Sequence, residues 1–151
     1  MTDKMKQNII PTILIADDDA DDRMMIKEAL EENNLSHSLQ FVEDGEELLD
    51  YLHQRGKFLS EKVLKPNLII LDLNMPKIDG REALSQIKSS VDFKRIPVIV
   101  LTTSGAEEDI IRTYDLGVNS FICKPVHFNE LVAVAREIGN YWFSTVALPT
   151  N

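Results

Sequence analysis

Cysteine occurs once in the 151 residues, at Cys123, so the chain cannot form a disulfide within itself. Histidine occurs three times, at His37, His53 and His127, too far apart for a metal-ligand spacing. No apolar run approaches the roughly 20 residues that a membrane span needs. Residues 1–8 carry lysines but no apolar stretch, so they do not read as a secretory signal. Positive charge is scarce as well. Lys and Arg number 16 against 25 Asp and Glu, a formal net charge of -9. That balance argues against direct binding to nucleic acid, where affinity rests on cations meeting phosphates. Repeats, low-complexity segments and domain linkers are absent too, and together these absences favour a cytoplasmic protein.

Hydrophobic residues make up 44% of the chain and charged residues 27%, enough apolar side chain for one domain with a real core. Four short apolar runs each end in polar residues. Ile13-Leu14-Ile15 leads into Ala16-Asp17-Asp18-Asp19, Leu68-Ile69-Ile70-Leu71 into Asp72-Leu73-Asn74-Met75-Pro76, Val98-Ile99-Val100-Leu101 into Thr102-Thr103, and Phe121-Ile122-Cys123 into Lys124-Pro125. Such runs read as buried strands of a parallel sheet. The full pattern predicts strands near 12–16, 37–42, 68–71, 97–101 and 120–123, with helices near 20–33, 45–55, 80–90, 105–116 and 128–146. Five βα units in series predict an α/β fold, a doubly wound five-stranded parallel sheet. In the first helix Met25, Ile26, Ala29 and Leu30 are expected to face inward, and Asn33-Asn34 to end it. Gly117 is placed for a left-handed C-cap after the fourth helix. Asp79 is expected to shape the turn into the third helix, and His127 to cap the last helix or face solvent. The polar connection 56–66 has Phe58, Leu59, Val63 and Leu64 as anchors and carries no evident chemistry. Cys123, in a strand taken as buried, reads as packing.

Ligands of such sheets bind beyond the carboxyl ends of the strands. Asp17, Asp18, Asp72 and Asn74 offer oxygen ligands there, the donor set that magnesium prefers. Asp21 and Asp22 are adequately explained as first-turn residues favoured by the helix dipole. Strand-end aspartates can arise without a shared purpose, but Thr102 and Lys124 occupy the matching ends of two more strands. A lysine beside carboxylates suits a phosphoryl group.

With these residues in order, the chain resembles the receiver domain of two-component response regulators, the CheY-like family with a flavodoxin-like sheet. The resemblance runs from about residue 11 to 141. It implies a single receiver domain over 1–151, with a short N-terminal tail and a C-terminal helix extension. It also implies that Asp72 is the phosphoacceptor. Asp17 and Asp18 would be the acidic pair for Mg2+, with Mn2+ as a substitute, joined by Asp72 and the Asn74 backbone carbonyl. Thr102 would be the switch hydroxyl, Lys124 the partner of the phosphoryl group, and Phe121 the aromatic switch residue. The family aims its lysine with a cis peptide bond, expected here between Lys124 and Pro125. Thr103, where the family often has a smaller residue, is expected to slow dephosphorylation. The donor is a sensor histidine kinase, because none of the chain's own histidines is a good phosphodonor.

The C-terminal stretch 141–149, Leu101-Thr102-Thr103-Ser104 and Tyr114-Asp115-Leu116 resemble stand-alone regulators partnered with phytochrome-type kinases, which are commonly dimeric. Tyr141, Trp142 and Phe143 come in succession and cannot all face one core. Either one packs inward or the three form a homodimer surface. Too few residues follow the last helix for an effector domain, so output by protein contact is expected. Two other readings stand beside this one. A small phosphohydrolase of the haloacid dehalogenase type also uses a strand-end aspartate, magnesium, a hydroxyl and a lysine, but wants a second aspartate where Asn74 stands. A phosphorylation-independent scaffold would not need the intact acidic set.

Overall fold

A computed structural model of the chain describes residues 10–149. The expected N-terminal tail lies largely outside that range. The elements, in chain order, are β1 (Ile13–Ala16), α1 (Ala20–Glu32), β2 (Leu39–Val42), α2 (Gly45–His53), a short 3-10 turn (Gly56–Phe58), β3 (Leu68–Leu71), α3 (Gly80–Ser89), β4 (Val98–Thr102), α4 (Glu107–Leu116), β5 (Ser120–Cys123), α5 (Phe128–Asn140) and a π-helical turn (Tyr141–Thr145). The five strands form one parallel sheet in the order β2-β1-β3-β4-β5. This is the doubly wound α/β fold that the alternation predicts.

Alternation along the strands sorts two cores onto the two faces of the sheet. Leu14, Ala16, Ile69, Leu71, Val98 and Val100 pack under α2 and α3 with Leu48, Leu52, Leu84 and Ile87. Ile13, Ile15, Leu68, Ile70, Ile99 and Leu101 pack under α1 and α5 with Ile26, Leu30, Leu131 and Ile138. The helices after β1 and β3 therefore leave on opposite faces, and the strand order reverses between these two neighbours. A crevice opens at that point.

Caps fix where the helices start. Asp19, Asp44 and Asp79 accept backbone N–H groups of the first turns of α1, α2 and α3. Asn33 ends α1, and Gly117 takes the left-handed conformation after α4 at φ 104°. His127 occupies the N-cap of α5 without a side-chain hydrogen bond.

Several expectations are corrected. Met25 is 37% exposed, because the α1 face that meets the sheet is narrower than its apolar set. Strand β2 begins at Leu39 rather than 37. In the 56–66 connection Phe58 is buried, edge-on to Tyr51, and Val63 packs beside it, whereas Leu59 and Leu64 are exposed. Cys123 is exposed, because β5 is an edge strand whose last residue lies beyond the covering helices. No peptide bond among the described residues is cis, so Lys124–Pro125 is trans, the isomer that X–Pro bonds favour by about 0.5–1 kcal/mol. The regular last helix stops at Asn140 rather than 146, and the chain turns on with π geometry.

Candidate functional site

Strand register brings the site together. Ala16 pairs with Leu71, so the next residues, Asp17 and Asp72, leave the sheet side by side. The Asp72 N–H donates to the Ala16 carbonyl at 2.9 Å, and the Asp17 N–H to the Val42 carbonyl at 3.1 Å. Thr102 pairs with Cys123, and the Lys124 N–H donates to the Thr102 carbonyl at 2.8 Å. Four strand ends thus deliver two carboxylates, a hydroxyl and an ammonium to one edge.

Asp17, Asp18 and Asp72 each offer a carboxylate oxygen, and these oxygens lie within 4.8 Å of one another. Asp17 and Asp72 are buried, whereas Asp18 is exposed. The Lys124 ammonium reaches into the same space. It donates to Asp17 Oδ2 at 2.7 Å, Asp22 Oδ2 at 2.8 Å and Asp72 Oδ2 at 3.2 Å. The other Asp17 oxygen accepts the Asp19 N–H at 2.9 Å, and Arg23 holds the Asp17 carbonyl at 2.8 Å. The Asn74 N–H points back to Asp72 Oδ1 at 3.3 Å.

Burial pushes the Asp17 carboxyl above its ordinary pKa, by more than Lys124 and the Asp19 N–H pull it back. Burial also works against the Lys124 ammonium, but hydrogen bonds to Asp17 and Asp22 outweigh it and carry its pKa well above the usual value. Both partners of the Asp17–Lys124 pair rise, which an isolated ion pair would not do. Lys124 is the group that holds its charge, because three carboxylates share it. The donor set is all oxygen, partly open to water, and carries more negative charge than one ammonium balances. Those properties fit a small hard divalent cation.

Thr102 is fully buried at the end of β4, and its hydroxyl accepts the Ser104 N–H at 3.4 Å. Thr103, next along, is exposed. Phe121 is half-buried on β5 against the α2–α3 core, and its N–H donates to the Tyr114 hydroxyl at 3.3 Å. Tyr141, Trp142 and Phe143 do not join the site, since they follow the far end of α5. Tyr141 is 53% exposed and edge-on to Trp142, while Trp142 and Phe143 pack partly against the α1–α5 core. The apolar patch is therefore smaller than three consecutive aromatics suggest.

Sequence reasoning missed two residues. Asp22 contacts Lys124 as closely as Asp17 does, and Arg23 braces the Asp17 backbone. The available signal was positional, because a helix that starts from a ligand-bearing loop turns its first turn toward the same site. The loop after Asp72 depends on glycine. A side chain on Gly80 would overlap the Asp72 carbonyl oxygen, and one on Gly45 would overlap the Ile78 carbonyl.

Comparison with known proteins is consistent with this geometry. The family model described as "Response regulator receiver domain" matches residues 13–136. Response regulator Rcp1 of Synechocystis sp. is 42% identical over 137 residues, 91% of this chain and 92% of its own. The crystal structure of the phosphorylated cyanobacterial phytochrome response regulator RcpA superposes with a TM-score of 0.86 at 42% identity, covering 94% of this chain and 100% of that one. The Mn(2+)-bound form of Rcp1 superposes with a TM-score of 0.84 at 40% identity, covering 93% and 99%.

Proposed function

The chain belongs to the response regulator receiver domain family, and we propose that it accepts a phosphoryl group from a sensor histidine kinase on Asp72. The observation that carries this reading is the meeting of Asp17, Asp18 and Asp72 with Lys124 beside the buried Thr102 at one sheet edge. A carboxylate oxygen of Asp72 attacks the phosphorus of a phosphohistidine, the P–N bond breaks, and the donor imidazole leaves. Asp72 is held for attack by its strand and by the Asn74 N–H. Lys124 supplies positive charge where the equatorial phosphoryl oxygens gather, and its ammonium already lies 3.2 Å from Asp72 Oδ2. Asp17, Asp18, Asp72 and the Asn74 carbonyl would hold Mg2+ or Mn2+. When bound, that ion supplies charge neutralisation between the acidic residues and the incoming group.

The product adds roughly two negative charges at Asp72. Thr102 then turns its hydroxyl to the new acceptor oxygens, and Phe121 repacks into the space released. The surface of α4, β5 and α5 changes as a shift between two packings. The chain acts on no other substrate in this reading, only on its own phosphorylation and dephosphorylation. A phosphohydrolase reading lacks its acid/base aspartate at Asn74 and finds no support.

The described residues contain no helix long and apolar enough to cross a membrane, and a cytoplasmic receiver domain over 1–151, with its core at about 11–141, fits that. The resemblance to RcpA supports a phytochrome-type kinase as donor. A homodimer through α4, β5 and α5, with Tyr141, Trp142 or Phe143 in contact, is the assembly we expect. Sedimentation as a monomer at micromolar concentration, with and without beryllofluoride, would reject it. The central test is intact mass after phosphotransfer. Wild type should gain one phosphoryl group and Asp72→Asn none; stoichiometric label on the variant refutes the assignment.

A further inference from the structure

A second tight charged cluster lies next to the site. Arg81, in the first turn of α3, forks onto Asp109 in the first turn of α4, with Nε to Oδ1 at 2.6 Å and Nη2 to Oδ2 at 2.7 Å. Asp109 Oδ2 also accepts the Ser104 hydroxyl at 2.7 Å. Arg81 and Asp109 expose only 19% and 14% of their side chains, so the fork is largely withdrawn from water. Bidentate charge-assisted pairs of this kind are among the stronger polar contacts a protein makes. Arg81, followed by Ser104, holds the Asp109 carboxyl down at about 2.

The cluster sits where the core does little. Helix α4 buries only Thr113, against Gly80, Ala83, Leu84 and Ile87 for α3. Its N-cap, Ala106, makes no side-chain cap bond. Few buried contacts and an uncapped start mark a segment that moves at low cost. The start of α4 and the preceding loop are tied to α3 by the Arg81–Asp109–Ser104 set, while the later turns are held by Thr113, Leu116 and the Tyr114 hydroxyl, which accepts the Phe121 N–H. Arg81 in turn follows Gly80, whose N–H donates to the Leu73 carbonyl at 2.8 Å, just past Asp72. At the other end, the Ser104 N–H donates to the Thr102 hydroxyl. A continuous chain of bonds therefore runs from the Asp72 loop to the loop that carries Thr102.

We propose that Arg81 is a positioning residue for phosphoryl chemistry at Asp72: through Asp109 and Ser104 it clamps the loop between β4 and α4 and opposes the movement of Thr102 toward a phosphoryl group. The inference rests on the reading of Asp72 as acceptor. The clamp favours the arrangement described above, so releasing it shifts the population toward the one that grips the phosphoryl group. The force opposing the switch is then polar and local, and it is set by residues that touch neither Asp72 nor a cation.

Beryllofluoride, a mimic of the phosphoryl group, tests this by titration at fixed magnesium followed by fluorine NMR. Ser104→Ala leaves the Arg81–Asp109 fork in place and should bind beryllofluoride at least about threefold more tightly, as expected when one hydrogen bond opposing the movement is lost. Arg81→Ala should tighten binding as well, and the double variant should gain no more than the larger single effect, since both act on one path. Magnesium affinity without beryllofluoride should stay unchanged. A purely structural role would lower the melting temperature and leave beryllofluoride affinity untouched. If Arg81→Ala does not fold, Ser104→Ala decides. Wild-type binding with equal or weaker binding by Ser104→Ala overturns the clamp alone. Failure of wild type to bind, or undiminished binding by Asp72→Asn, overturns the acceptor reading and the clamp with it.

Discussion

Gly80→Ala tests whether the Asp72 backbone is held by close approach of α3. The added β-carbon would overlap the Asp72 carbonyl oxygen and lie 2.6 Å from the Leu73 Cα. Both obstacles are backbone, so no side chain can rotate away. The Gly80 N–H bond to Leu73 fixes the helix at that distance. Relieving the overlap requires moving α3 or the Asp72–Leu73 peptide, and overpacking of this sort costs about 1–3 kcal/mol. Alanine returns less than the roughly 1 kcal/mol of interior helix propensity, because position 80 is the first residue of the helix. The balance is a loss of about 1–2 kcal/mol, which for a chain of this size lowers the melting temperature by about 2–8 °C. Urea unfolding followed by circular dichroism reads the stability, and intact mass after a small-molecule phosphodonor reads Asp72. Both should fall, the second because the proposed acceptor carboxylate is displaced. An unchanged urea midpoint together with an unchanged phosphorylation rate would refute the reasoning.

Three further outcomes follow from the same geometry. Asp18→Ala should weaken magnesium binding more than any other single change outside Asp72, because its carboxylate is the exposed member of the three-residue set; calorimetric affinity equal to wild type would sink that site. Thr103→Ala should speed dephosphorylation several-fold, on the order of threefold for removing a stiff β-branched side chain beside the attacking water, and a slower or unchanged decay counts against it. The Asp109 carboxyl is held below its ordinary 3.8, at about 2, so its contribution to stability is complete above 3.8 and is lost as pH falls toward 2. Stability of Asp109→Asn should therefore vary less with pH in that window than wild type, as followed by acid unfolding; parallel curves would contradict the Arg81 pairing.

The strands were legible because each of the four apolar runs ends in a residue with chemistry, and register then carries adjacent ends to adjacent places. Asp17 and Asp72, and Thr102 and Lys124, come together for that reason alone. What the pattern could not convey is position within the sheet. Phe121-Ile122-Cys123 looks as apolar as Ile69-Ile70-Leu71, yet β5 is an edge and β3 is central, so Cys123 was misread as buried. The partners of Lys124 were hidden differently. Asp22 satisfies a complete local explanation as a first-turn acid, and that explanation masks the positional signal that its helix starts from the loop carrying Asp17 and Asp18. Arg81 and Asp109 lie 28 residues apart on different helices, with no periodicity to join them.

The ion pairs also order the events at the site. Lys124 serves Asp17, Asp22 and Asp72 together, and a phosphoryl group on Asp72 would bring roughly two more negative charges to the same ammonium. Lys124 cannot keep every partner at hydrogen-bond distance. The carboxylate it leaves must then face its surroundings unpaired, and that cost rises steeply with burial. Asp17 exposes 2% of its side chain and Asp72 8%, while Asp22 exposes 28%. Water can take over at Asp22 but not at Asp17. We infer that Lys124 gives up Asp22 first and keeps Asp17. The first turn of α1 would then lose a tie to the β5–α5 connection when Asp72 is modified, while the floor of the site stays assembled.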